Sequence, residues 1–164
     1  MQSRGKAIHS QVSRLTAALA VVAVACASVT IAQSQSAAEI VKARQQGLKS
    51  LGAAFKSVRD ELRSASPDSA KIKAAAADIT RAAGVIDTWF PAGTGPESGV
   101  KTDARPEVWA DAAGFVAARE TFVREADKWS HLGDSTDASA WKDAAASLGR
   151  SCKGCHDKYR VKKE

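Results

Sequence analysis

The stretch WKDAAASLGRSCKGCHDKY, residues 141–159, decides the fold. Its apolar positions Trp141, Ala145, Leu148, Cys152, Cys155 and Tyr159 step by 4, 3, 4, 3 and 4, the spacing of one face of an α-helix. Three further stretches repeat that period. Ile40, Arg44, Leu48, Leu51, Phe55, Val58 and Leu62 form one seam from Ser36 onward. Ile72, Ala76, Ile79, Ala83, Ile86 and Phe90 form a second, opened by Ser66-Pro67-Asp68 as a cap with proline in the first turn. Val108, Ala112, Phe115, Ala118, Phe122, Ala126 and Trp129 form a third after Asp103 and Pro106, closing at His131-Leu132-Gly133. The segment from Pro91 to Gly99 is too rich in proline and glycine to be helical. Four amphipathic helices, two short links and one long middle link predict an all-α, antiparallel up-down-up-down four-helix bundle. The seams are rich in alanine, which leaves room for something else to fill the centre.

Composition agrees. Alanine is the commonest residue, 34 of 164, while aromatics are 5%, too few for a sandwich or barrel. The 26% charged and 45% apolar content is that of an ordinary globular chain. Residues 1–14 carry Arg4, Lys6 and Arg14 and no acid, and Leu15 to Ala32 carry no charge at all. This is the layout of a secretory signal peptide over 1–32, followed by a folded domain over 33–164. Cleavage after Ala32 fits, with Ala27 as the rival. A transmembrane anchor is the other reading of the stretch, weakened by Cys26, Ser28, Thr30 and the many alanines. Cys26 as a lipoprotein cysteine is disfavoured by Ala23, and no twin-arginine pair is present. The leader holds three of the 24 basic residues and none of the 18 acids, so +6 falls to +3 without it. The remaining bases are interleaved with acids along helices, which excludes a nucleic-acid partner. With the leader cleaved, no membrane association is expected.

Cys152-Lys153-Gly154-Cys155-His156 is C-x-x-C-H, the attachment signature of a c-type haem. Cysteines three apart lie on nearly one helix face, so both can form thioethers with the two vinyl groups of one porphyrin. His156 follows about one turn after Cys152 and can reach the iron. A thioredoxin-type dithiol needs a βαβ context, and a zinc site needs four ligands; neither is visible. One covalently bound haem c per chain is therefore expected, with Cys152 and Cys155 as attachment points and His156 as the metal ligand. The only methionine is Met1, and His131 sits at a helix end, where it favours the helix dipole. The second axial position has no ready protein ligand. The iron is expected to be five-coordinate and high-spin, suited to small ligands.

These residues resemble cytochrome c′, the class II c-type cytochromes. The resemblance spans 36–164 and rests on Val41-Lys42-Ala43-Arg44-Gln45-Gln46-Gly47-Leu48, on Asp103-Ala104-Arg105-Pro106-Glu107-Val108-Trp109, and on Cys152 through Arg160. It implies that Leu48 packs over the open face of the iron, where six-coordinate relatives carry Met, and that Gly47 lets that helix approach the ring. It implies that Arg44, Gln45 and Asp103 line the haem edge and that Arg160 lies beside the proximal face. From chemistry alone, Arg44 pairs with a propionate or snorkels its head to water, Leu48 is a core leucine, and Arg160 caps a basic tail. The resemblance further implies a periplasmic homodimer that binds NO and CO with discrimination against O2. An apolar distal side offers bound O2 no hydrogen-bond donor. Electron transfer to a periplasmic redox partner protein is the competing function. A peroxidase is disfavoured, because no distal His or acid is present to cleave an O–O bond.

Overall fold

The computed structural model describes residues 35–132, 135 and 137–162. The expected leader, 1–32, lies outside the described residues. Helix α1 spans Ala37–Glu61, α2 Ser69–Ala83, α3 Glu107–Ala110, α4 Ala112–His131 and α5 Ala138–Tyr159. The four long helices form the up-down-up-down bundle, and α3 is a single turn before α4. Each long helix starts on a polar cap, which satisfies backbone N–H groups that have no partner within the helix. Ser36 opens α1 with a capping box: Glu39 N donates to Ser36 Oγ, and Ser36 N donates to Glu39 Oε2 at 2.8 Å. Asp68 caps α2 by accepting from Ala70 N and Lys71 N, which leaves Pro67 outside the helix rather than in its first turn. Asp137 caps α5 by accepting from Ser139 N.

Two sequence seams are shorter than their periodicity suggested. The second ends at Ala83, and Ile86–Trp89 is a separate 3-10 turn after Gly84. The third is broken at Asp111, whose φ of −112° and ψ of 59° separate α3 from α4. Spacing cannot see either break, because apolar residues on both sides still face the interior.

The interior is two clusters. The larger joins Val58 of α1, Ile79 of α2, Phe122 and Trp129 of α4, and Trp141 and Leu148 of α5. Trp129 and Trp141 tilt against each other with centroids 5.4 Å apart. Fully burying each such side chain stabilises by roughly 1.5–3 kcal/mol. The smaller cluster gathers Val108, Phe115 and Tyr159, with Phe90 edge-on to Phe115 at 4.9 Å. Neighbouring helices pack closely around the bundle except α1 and α5, whose shared seam is the most sparsely filled. Among the described residues no helix is long and apolar enough to cross a membrane.

Asp111 clasps α4 to α5. One carboxylate oxygen accepts from Gly114 N at 3.2 Å, capping α4. The other accepts from Tyr159 Oη at 2.9 Å and pairs with Lys158 Nζ at 2.5 Å. A Cβ at Gly114 would stand 2.3 Å from that second oxygen, so a side chain there would push the Asp111 carboxylate out of this arrangement. The bonds from Lys158 and Tyr159 hold the Asp111 carboxyl below its ordinary 3.8. A depressed carboxyl stabilises fully above its ordinary value and loses that contribution as pH falls through the native one. Asp111→Asn should therefore lower the thermal midpoint at neutral pH, and the gap to the unsubstituted protein should close as pH drops below about 4. A gap that stays constant across a pH series of melting curves would refute the assignment.

Candidate functional site

The C-terminal half of α5 carries the attachment motif at the boundary between the two clusters. Cys152 packs against the larger and Cys155 against the smaller. Three residues apart on a helix, they are separated by about 4.5 Å of rise and about 60° of rotation. Both thiols are free and half-buried. Burial pushes both up, Cys155 to about 11 with a contribution from Cys152. A redox dithiol works through a lowered thiol pKa, and burial acts in the opposite direction on this pair. Among the described residues no three His, Cys, Asp or Glu side chains cluster as a metal site would require. Partial burial, aided by Arg160, lowers the pKa of His156 and favours the neutral imidazole that a metal needs.

Across the sparse seam stands α1. Leu48 is 36% exposed and belongs to neither cluster, although it lies on a seam with the buried Val41, Arg44 and Val58. A large apolar side chain left this open on a helix that meets α5 only sparsely is one that a porphyrin would cover. The unfilled seam, the cysteines straddling two apolar clusters and the open leucine together fit the haem that the motif implies.

Arg44 is only 2% exposed, so its head does not reach water. Four of its N–H groups donate to the connection between α2 and α3. Nη1 bonds Trp89 O at 3.3 Å and Thr94 Oγ1 at 3.0 Å; Nη2 bonds Thr94 O at 2.9 Å and Thr102 Oγ1 at 2.8 Å. Phe90 and Trp109 offer ring faces at 5.0 and 5.9 Å. The guanidinium thus holds the long link onto α1. Gly47 has a second reason to be glycine. A Cβ there would lie 2.5 Å from Cζ2 of Trp89, so the close approach that the structure displays is by an indole.

Gln45 is exposed and its Nε2 donates to Lys101 O at 3.0 Å. Asp103 pairs with Arg160, Oδ2 to Nη2, at 3.8 Å. Arg105 N donates to Tyr159 O at 3.0 Å and Val161 N to Asp103 O at 2.8 Å, so Ala104 and Arg160 form an isolated antiparallel bridge. The structure therefore brings Arg44 and Gln45 to one end of segment 101–105 and Asp103 and Arg160 to the other. Thr94, Thr102, Trp89 and Asp111 were not singled out by sequence. Each sits in a link or a helix break whose partners lie on other helices, and only the glycine- and proline-rich composition of 91–99 marked the region.

His131 ends α4, its ring beside Asp127 at 3.6 Å. The 20 residues of α4 span about 30 Å. Since Asp111 ties the start of α4 to the end of α5, His131 stands at the far end of the bundle from His156.

A four-helix bundle whose last helix carries C-x-x-C-H has the architecture of the class II c-type cytochromes. The cytochrome C′ family model matches residues 39–160, and the chain belongs to that family. The cytochrome c′ of Rubrivivax gelatinosus is 44% identical over 70 residues, 43% of this chain and 54% of the relative. Its crystal structure superposes with a TM-score of 0.72 at 32% identity, covering 78% of this chain and 99% of that one. The cytochrome c′ of Alcaligenes xylosoxydans xylosoxydans is 35% identical over 126 residues, 76% of this chain and 95% of the relative. A solved structure of cytochrome c prime from Alcaligenes xylosoxidans, a nitric oxide complex of a leucine-to-alanine mutant, matches with a TM-score of 0.71 at 31% identity, covering 80% and 100%. A third, a cytochrome c′ described as having an unusual ligand-controlled dimer dissociation, matches with a TM-score of 0.72 at 27% identity, covering 79% and 99%. The cofactor of this chain is haem c, one per chain, covalently bound.

Proposed function

We propose that this chain is a periplasmic, exported haem protein that binds NO and CO at a five-coordinate, high-spin iron and serves in nitrosative-stress defence rather than as an enzyme. When bound, the haem supplies an iron centre with one position open to a diatomic ligand. Cys152 and Cys155 fix the ring to α5, and His156, favoured in its neutral form, supplies the proximal nitrogen. Arg160, one turn beyond His156, would stand on its proximal side, and Gln45 and Asp103 would line the edge, with Arg44 beneath them holding the α2–α3 link in place. The observation that carries the reading is Leu48: it is the large apolar side chain of α1 left more than a third exposed. The chain has no methionine beyond Met1, and His131 is a bundle length away. Leu48 offers no hydrogen bond to a polar iron–O2 unit, which favours NO and CO, and it must move for either to enter. The nitric oxide complex solved for the Alcaligenes relative supports the same ligand class here. A homodimer is proposed on the same family grounds.

Absorption spectra of the ferric and ferrous holoprotein, with and without NO, test the coordination state. High-spin bands are expected before ligand is added, and low-spin six-coordinate bands at that stage would overturn it. Leu48→Ala should raise CO affinity by roughly tenfold, the equivalent of about 1.4 kcal/mol of relieved displacement. Equilibrium CO titration reads this directly, and an unchanged affinity would show that Leu48 does not guard the iron. Electron transfer is the second reading, favoured by the surface exposure of His156 and Gln45. A measured preference for a periplasmic redox partner, with no ligand-dependent spectral change, would select it.

A further inference from the structure

We propose that residues 101–105 act as a strap that couples the α1 side of the haem site to the α5 side, with Thr102 and Asp103 as its positioning residues. The strap is anchored at one end to α1 by Arg44 Nη2 on Thr102 Oγ1 at 2.8 Å and Gln45 Nε2 on Lys101 O at 3.0 Å. These two donors lie one turn before Leu48 on the same helix. At its other end the strap is bonded to Tyr159, the last residue of α5, and to the two residues that follow it. Val161 N donates to Asp103 O at 2.8 Å, Arg105 N donates to Tyr159 O at 3.0 Å, and Arg160 pairs with Asp103 at 3.8 Å. These partners follow His156 by three to five residues.

Thr102 is the hinge between the two sets. Its hydroxyl oxygen accepts from the buried Arg44 and also from Ala104 N at 3.1 Å, which sets the turn that presents Asp103 and Arg105 to α5. Helices α1 and α5 meet sparsely elsewhere. A movement of α1 at Leu48 therefore has a continuous hydrogen-bonded route to the residues that flank the proximal histidine. It runs through five residues of backbone rather than through a packed core. Segments joined in this way open as one cooperative unit, and a two-ended link of this kind is the physical basis on which two faces of a site influence each other.

The strap rests on the haem site described above, but it does not require that the ligand be a gas. Amide hydrogen exchange of the holoprotein, followed by mass spectrometry at residue resolution without added ligand, tests it. Thr102→Val, nearly isosteric, removes the acceptor for Arg44 and Ala104. Exchange at Arg105 and Val161 should rise by about tenfold, while core amides of Ile79 and Leu148 stay unchanged. Thr102→Ser keeps the oxygen and should restore the native rates. A merely local role would speed Ala104 and leave Val161 untouched, and that result would overturn the proposal, as would equal effects of Val and Ser. Gln45→Ala, at an exposed position where folding is not at stake, should give a smaller rise at the same Val161 amide; no change in either variant sinks the strap. Addition of CO to the native holoprotein separates the two readings. If the absorption spectrum does not respond, the gas-binding function fails, and the exchange comparison still decides the strap.

Discussion

A variant carrying Cys152→Ala and Cys155→Ala should be exported with no covalently bound haem. Denaturing gels stained for haem should be blank for this variant and positive for the unsubstituted protein. The reason is local chemistry. The two thiols straddle the boundary between the apolar clusters, and each is half-buried and protonated. No other cysteine exists beyond residue 26, so no substitute attachment is available. Each single variant should keep one thioether and one unreacted vinyl group, visible as a red-shifted band in the pyridine haemochrome. The helices should survive the loss. Alanine at 152 removes one sulfur from the edge of a cluster still held by Trp129, Trp141 and Leu148, at a cost of about 1 kcal/mol. Retained helical circular dichroism with absent haem stain is the expected pair of results. Haem that stays attached in the double variant would refute the assignment of the motif.

Arg44→Met should lower the thermal midpoint of the holoprotein by about 10 °C. Methionine nearly matches the buried stem but removes the donors to Trp89 O, Thr94 O and Thr94 Oγ1 and one of the two donors to Thr102 Oγ1. Burial works against the charged head and draws the Arg44 pKa down, with Glu97 acting in the opposite sense. The net effect therefore turns on the hydrogen bonds. Leaving several buried oxygens without donors costs about 3 kcal/mol after the relief of desolvation, and for a domain of roughly 130 residues that is about 10 °C. Arg44→Lys should fall between the two, since one ammonium cannot address acceptors on both sides of the guanidinium plane. Differential scanning calorimetry distinguishes the cases. A midpoint unchanged within a few degrees for Arg44→Met would mean that the long link holds its place without the arginine.

Arg44 also shows where sequence reading reaches its limit. Its position in an apolar seam marked it as unusual, and both a propionate partner and a solvated head were reasonable from chemistry alone. The observed partners are loop oxygens 45 to 58 residues away in the chain, in a segment readable only as non-helical. Trp89 and Gly47 teach the same lesson: the glycine was legible as a point of close approach, but not the indole that approaches. Asp111 broke a seam whose periodicity ran straight through it, because a helix break with apolar residues on both flanks leaves the period intact.

Periodicity and one five-residue motif determined the larger part of this protein. The four seams marked the four long helices because burying an apolar face requires the 3.6-residue repeat. Cys152, Cys155 and His156 specified the cofactor because thioether and iron bonds need those atoms at one helical turn, whatever surrounds them. The absence of any methionine after Met1 is the sequence support for the open iron face proposed above. Tertiary structure alone decided which helices meet loosely, where Leu48 is left open, and how residues 101–105 bridge α1 and α5. Those features depend on contacts between segments far apart in the chain, whose energies arise only once the backbone has brought them together.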